Sequence, residues 1–394
     1  MYPRISDFFN DVFGLNICLP IQSFGFFLAM AFIACFIAIR YELRRKTQVG
    51  IFPTREVVEE QGGPIPISDV IISSVIYFLL GYKFFLMLEN YAGFCDNPQD
   101  MVLSTDGSFI GGLVAAGIFG GIRFYQYNKR KDEKPKKVNV QKGIADELGP
   151  IFLIAFLAGI IGAKVFHNIE YWEDFLKDPM GQLLSFNGLT FYGGMICGAV
   201  GILWYVHSRG YRILPFADAG GMVLMLGYGV GRVGCHVAGD GDWGIVNKDP
   251  KPNWLSWLPD NLWSYNYPNN VLERCGQPGC KFSETPYLID PVFPTPVYEV
   301  VMALSIFTFL WLIRKRLPYW GQLMSIYLVL NGLERFLIEK IRVNTADEYF
   351  GIVLTQAEII SFTFMLMGIV LFILSTFKWK QNLKNTPVKP LAKT

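Results

Sequence analysis

Long apolar runs broken by short polar connections fill the chain from about residue 22 to residue 377. Crossing a bilayer core takes roughly 20 helical residues. Nine runs meet that length within a few residues, over 22–40, 68–88, 109–125, 149–168, 189–206, 217–237, 296–313, 321–341 and 354–377. The pattern predicts an all-α polytopic membrane protein, with residues 1–394 forming one membrane-embedded domain. It leaves one long polar connection, 238–295.

The polar residues between the runs orient them. Lysine and arginine gather in alternate connections: five between Arg40 and Arg55, eight between Arg123 and Lys142, then Arg209 and Arg212, Arg314 to Arg316, and five from Lys378 to Lys393. All fall on one side when nine spans start from an outside N-terminus. The positive-inside rule makes that side cytoplasmic and puts the C-terminus there. The 238–295 connection, carrying Trp243, Trp254, Trp257 and Trp263, is then extracytoplasmic. An even number of spans would break the alternation.

Two segments resemble each other about 80 residues apart. Gly81-Tyr82-Lys83-Phe84-Phe85, Asn97-Pro98 and Gly111-Gly112 match Gly162-Ala163-Lys164-Val165-Phe166, Asp178-Pro179 and Gly193-Gly194. Both copies start on the cytoplasmic side, so they are parallel. Residues 68–142 are therefore read as an added helical hairpin resembling 149–206. Inverted repeats mark many carriers; parallel adjacent ones fit a tandem duplication more simply.

Composition agrees with membrane residence: 52% of residues are hydrophobic and 17% charged, against about 25% charged in soluble domains. That balance offers nothing for nucleic acid. Seven cysteines make no disulfide scaffold, although Cys275 and Cys280, if exposed to an oxidising compartment, could pair. No metal-ligand spacing stands out, and no cofactor is expected.

An ionised side chain at membrane depth costs about 2.5–3.5 kcal/mol or more, so each needs a reason. The sixth run ends in Gly231-Arg232-Val233-Gly234-Cys235-His236, followed by Asp240 and Asp242. Arg232 and His236 are four apart and share a helix face. The eighth run ends with Glu334, Arg335, Glu339 and Arg342; the last three again fall on one face. Both runs point outward, which places both arginines in the outer half of the membrane. A guanidinium fork matches phosphate oxygens. The competing reading is structural pairing, as of Arg335 with Glu339, or snorkelling. Lys83 and Lys164 are read structurally. His167 and His207 are read as interfacial and solvated, which leaves His236 as the candidate histidine.

These residues resemble the prolipoprotein diacylglyceryl transferase family. Its Gly-Arg-x-Gly-Asn-Phe-x-Asn-Gly-Glu signature is similar to the stretch from Gly231 to Gly244. Its His-Gly-Gly-Leu-Ile-Gly motif resembles Tyr192-Gly193-Gly194-Met195-Ile196-Cys197-Gly198. Gly162-Ala163-Lys164, Pro296-Val297-Tyr298-Glu299 and Arg335-Phe336-Leu337-Ile338-Glu339 through Arg342 follow its other motifs, with Phe24-Gly25 before them and Gln356 and Ser361 after. Both arginines match. The family histidine is Tyr192 here, the signature asparagine is Cys235, and Asp240 or Asp242 replaces the glutamate.

The resemblance implies transfer of the diacylglyceryl group of phosphatidylglycerol to the lipobox cysteine of a preprolipoprotein signal peptide, in a bacterial cytoplasmic membrane. Arg232, Arg335, His236 and Tyr192 are the implied catalytic residues. Gly193, Gly194, Gly231, Gly234, Asp240, Asp242, Tyr298, Glu299, Glu339 and Arg342 are the implied substrate contacts. His236 is expected to cover part of the role of the missing histidine. Two alternatives stay open: a transporter or lipid-binding protein without chemistry, and a family member that has lost activity.

Overall fold

The computed structural model describes all residues except 16, 20, 97–100, 103, 132, 185–189, 273–287, 344–346, 350–351 and 386–394. Cys275 and Cys280 lie outside the described residues. Ten helices carry the argument below: α1 Ile5–Phe13, α2 Ser23–Gln48, α3 Ile67–Glu89, α4 Phe109–Arg130, α5 Leu148–Glu170, α6 Phe191–Ser208, α7 Ile213–Ala238, α8 Thr295–Ile313, α9 Gln322–Glu339 and α10 Gln356–Asn385. Among the described residues, seven helices are long and apolar enough to cross a membrane. α6 and α9, of 18 residues each, occupy the other two expected positions. α9 is the more polar of that pair because it carries Glu334, Arg335 and Glu339. The chain is a mostly helical, multi-span membrane protein.

The chain divides into two compact units. One comprises Met1–Phe26 and Arg55–Gln141. Within it α3 and α4 form a hairpin. Below the hairpin, strand β1 (Arg55–Gln61, Arg-Glu-Val-Val-Glu-Glu-Gln) pairs with strand β2 (Lys136–Lys142, Lys-Lys-Val-Asn-Val-Gln-Lys). The Gln141 amide donates to Glu56 at 2.9 Å. The Lys83 amine bonds the carbonyls of Met101, Ser104 and Asp106, which ties down the connection between the two helices. A disulfide joins Cys18 to Cys95, a pairing that spacing alone did not suggest.

The other unit comprises Phe27–Thr54 and Lys142–Thr394. Its core holds Leu43, Phe52, Ile144, Leu148, Val206, Phe216, Met222, Met225, Leu310 and Leu323. The core therefore sits at the N-terminal half of α7, away from Arg232. α7 packs on α8 and α9, α5 on α6, and α9 on α10. Half of the most apolar window of α7 is buried, against 11–22% in the other six apolar helices.

Buried polar groups set the register among these helices. Asp218 of α7 accepts the backbone N–H groups of Gly321 and Met324, each at 2.8 Å, and so caps α9 from outside its own chain segment. Gly321 takes φ +91°, where a side chain would be strained. Arg232 lies 14 residues beyond Asp218, and Arg335 lies 14 residues beyond Gly321. Equal rises of about 21 Å bring the two arginines to one level. Glu42, fully buried, accepts Arg45 and, at 3.0 Å, Arg314. Lys46 donates to the Pro215 carbonyl at 2.6 Å.

Candidate active site

α7, α8 and α9 each deliver one charged residue to a common point. Glu299, one turn into α8, has no exposed side-chain surface. Its carboxylate lies 3.0 Å from Arg232 Nε and 3.7 Å from both Arg335 Nη1 and Arg342 Nη1. The Tyr228 hydroxyl donates to Glu299 at 2.9 Å and has Glu334 Oε1 at 3.4 Å. Burying a carboxylate without partners costs several kcal/mol. Here three guanidinium groups and a phenol offset that cost, and Glu299 in turn fixes where the three arginines point.

A second carboxylate closes the cluster from the loop side. Asp242 accepts Arg232 Nη1 through one oxygen and Arg342 Nη2 through the other. Its carbonyl accepts the Thr295 hydroxyl at 2.6 Å. Gly244 pairs with Arg342 in an antiparallel bridge, and Ile245 N–H donates to the Ile341 carbonyl at 2.9 Å. A Cβ at Gly244 would stand 2.9 Å from both Phe293 Cβ and Thr295 Cγ2. Only glycine lets this backbone approach.

The remaining implied residues divide by location. Glu339 pairs with Arg335 at 3.1 Å, the expected i,i+4 contact. Arg342 does not continue that helix face: α9 ends at Glu339, and Arg342 reaches the cluster from the bridge to Gly244. A Cβ at Gly231 would meet nothing within 4 Å, so no neighbouring segment packs closely on that point of α7. Gly234 is buried in α7. Gly193 and Gly194 serve helix packing: a Cβ at Gly193 would lie 2.5 Å from the Gly162 carbonyl, and one at Gly194 would lie 3.2 Å from the Gly159 carbonyl. Tyr192 begins α6, on the α5–α6 hairpin, and not on the three helices that carry the ion pairs. The Tyr298 hydroxyl donates to the Leu262 carbonyl at 2.8 Å and pins the long connection to α8.

His236 meets the long connection. Its Nδ1 is 3.3 Å from the Tyr267 hydroxyl, and its ring lies near those of Tyr265 and Tyr267. Trp243 packs on Tyr267 as well, so these rings roof the site. Burial, with the neighbouring Tyr265 phenol, pushes the Tyr267 phenol up. Tyr267 is therefore a neutral hydrogen-bonding group at physiological pH.

Cys235, Asp240 and Asp242 place donor atoms within 4.8 Å of one another. Arg232 Nη1 is 3.6 Å from the Cys235 sulfur, and both oxygens of Asp242 already face guanidinium groups. The trio thus belongs to the ion-pair network, where a cation would meet like charge.

Four contributors went unread in the sequence: Tyr228, Glu334, Thr295 and Tyr267. Tyr228 carried a signal, since it lies one turn before Arg232, and the Arg232 guanidinium stacks 5.2 Å from its ring centroid. Glu334 adjoins Arg335. Thr295 and Tyr267 gave no signal, because their roles depend on where the long connection folds.

A family model described as prolipoprotein diacylglyceryl transferase matches residues 110–374. Relatives carry the name phosphatidylglycerol–prolipoprotein diacylglyceryl transferase. One from Dehalococcoides mccartyi is 30% identical over 236 residues, 59% of this chain and 79% of its own. One from Leptospira interrogans is 25% identical over 299 residues, covering 63% and 85%. One from Vibrio parahaemolyticus is 26% identical over 248 residues, covering 62% and 78%. The match spans the three helices and the bridge that assemble the arginine cluster, and on that ground the chain belongs to the prolipoprotein diacylglyceryl transferase family.

Proposed function

We propose that this chain transfers the diacylglyceryl group of phosphatidylglycerol to the lipobox cysteine of preprolipoproteins, in a bacterial cytoplasmic membrane. Nine spans, an outside N-terminus and a cytoplasmic C-terminus complete the reading. They put Arg232 and Arg335 in the outer half of the membrane, with the 238–295 connection outside. Residues 68–142 are an added hairpin.

The observation that carries the reading is the convergence of Arg232, Arg335 and Arg342 on one buried carboxylate, Glu299. The donor is an anionic lipid, and its leaving group keeps the phosphate. Preorganised guanidinium groups stabilise the charge that grows on that phosphate as the carbon–oxygen bond breaks, without reorganising at that moment. The acceptor sulfur must be a thiolate to attack. Tyr192 acts by hydrogen bonding. His236, against Tyr267, shapes the roof over the acceptor.

The test is transfer of labelled diacylglyceryl from phosphatidylglycerol vesicles to a lipobox peptide by the purified protein. Wild type is expected to form the thioether. Arg232→Ala and Arg335→Ala are expected to lose on the order of 100-fold or more. Lysine at either position recovers little, because it lacks the fork. An inert wild-type protein, or an alanine variant with undiminished rate, overturns the reading.

A further inference from the structure

The two carboxylates that hold the arginine cluster differ in one respect that bears on how the donor enters. Glu299 has no exposed side-chain surface, whereas the Asp242 side chain is 31% exposed. Glu299 lies between helices. Asp242 lies on the loop just past α7, after Gly239 at φ +65° and Gly241 at φ +97°. Its backbone is held, by Thr295 at its carbonyl and by Asp240 Oδ1 at 3.3 Å from its N–H. Only its carboxylate is left to move, by rotation within the side chain.

Charge gives the motion a direction. Arg232, Arg335 and Arg342 are matched one for one in direct ion pairs by Asp242, Glu299 and Glu339, and Glu334 stands beside them across Tyr228, so the cluster holds no surplus positive charge. A phosphate added to this cluster would put two anions against the same guanidinium groups. A phosphate that takes the place of the Asp242 carboxylate keeps the balance and inherits two forks already aimed at one point.

We propose that the Asp242 carboxylate is an internal stand-in for a phosphate: it bridges Arg232 and Arg342 in the empty site, and the phosphate of the donor displaces it. The proposal rests on the transferase reading for the identity of the donor, and on the ion-pair geometry for the exchange itself. Asp242 is thus a positioning residue. It holds the two guanidinium groups together, one on each oxygen, and it keeps off anions that bind too weakly to displace it. Glu299 stays in place throughout as the permanent counterion.

The test has three arms, and two need no catalysis. In the first, binding of glycerol phosphate to the purified full-length protein is measured by calorimetry. Asp242→Ala is expected to bind it more tightly by about three- to tenfold, because exchanging one anion for another is replaced by filling a vacant site. Asp242→Glu is expected to stay near wild type. In the second, wild-type protein is treated with a water-soluble carbodiimide and an amine, and Asp242 labelling is read by peptide mass. Labelling is expected to rise when glycerol phosphate is present. It is also expected to rise in nanodiscs of phosphatidylglycerol relative to phosphatidylcholine. A rise with the soluble anion alone assigns the exchange to free phosphate compounds and overturns the lipid as its source. In the third, transfer kinetics should show Asp242→Ala lowering kcat and KM together, whereas a purely structural residue would lower kcat alone. Weaker or unchanged binding by folded Asp242→Ala, or labelling that does not respond to the anion, overturns the proposal. Should Asp242→Ala not fold, the labelling arm on wild type decides. A wild-type protein that passes the binding arms but transfers no lipid upholds the exchange and overturns the transferase reading.

Discussion

The α3–α4 and α5–α6 hairpins are built on one plan and differ where chemistry would be placed. In the first, a Cβ at Gly81 would lie 2.6 Å from the Gly111 carbonyl, and one at Gly111 would strike Phe85. In the second, Gly162 and Gly193 stand in the same relation, and Phe166 takes the place of Phe85. Ser108 heads α4, donates to Glu89 at 2.6 Å and bonds through its N–H to the Tyr82 carbonyl. Thr190 does the same for α6 with Glu170 at 3.1 Å and the Ala163 carbonyl. Helix contact and the tie to the preceding helix are therefore duplicated side chain by side chain, while only Ser108 also caps its helix, accepting the Gly111 N–H at 3.3 Å. Two residues beyond the cap the copies part: Ile110 stands 75% exposed where the second hairpin has Tyr192. Packing of this kind needs only small residues at fixed spacing, so it survives copying. A polar group at membrane depth is costly and persists where it has a task.

The comparison can be broken most severely at the shared glycines. Gly193→Val is expected to force the α5–α6 crossing apart, at a cost of about 3 kcal/mol or more, and to abolish transfer in the lipobox-peptide assay. Gly111→Val, with the same clash in the other copy, should leave most transfer intact. Equal losses from both would show that the two hairpins serve the reaction alike. A smaller effect is expected where the copies differ. Tyr192→Phe should slow transfer roughly tenfold, the worth of one hydrogen bond in the transition state, while Ile110→Tyr changes nothing. The caps come next. Ser108→Ala, which loses a helix cap, should lower thermal stability by about 1 kcal/mol and leave the rate alone; Thr190→Ala, which loses only the bond to Glu170, should cost less stability and touch the rate. The smallest effect on transfer belongs to Cys18→Ser. It opens a loop of 77 residues and should destabilise the unit that contains it by up to about 4 kcal/mol, with transfer unchanged. A transfer defect matching that loss would tie the added hairpin to catalysis.

Much of this was legible in the chain because hydropathy and charge act locally. Seven of the expected spans are apolar helices, and helices fill the other two positions. Several extend beyond the apolar run. α2, for example, continues through Tyr41 to Gln48, where Glu42 finds Arg45 and Arg314. Arg232 and Arg335 stood out as charges in apolar surroundings. Arg342 was assigned to the right cluster for the wrong reason: periodicity put it on the face of α9, but the chain leaves the helix at Lys340 and brings it back through Gly244. His236 does lie on α7 one turn beyond Arg232, as its spacing implies, but its hydrogen-bond partner, Tyr267, comes from the folded connection and was not legible. Choosing between Asp240 and Asp242 required the fold, since only one of two near neighbours meets the arginines at both oxygens.

The sequence by itself determined the helices and the arginines that need an explanation. Each of these follows from what one segment costs in hydrocarbon, whatever its neighbours do. Only the tertiary structure decided which carboxylates answer those arginines. Glu299 is a single buried acid on a helix with no charge near it in sequence. It becomes the hub because Asp218 fixes the level of α9 against α7 and the Gly244 bridge returns Arg342 to the same place. The ion pairs of Glu299 act across a few ångströms of space between residues 36 to 67 positions apart, a separation that no local pattern encodes.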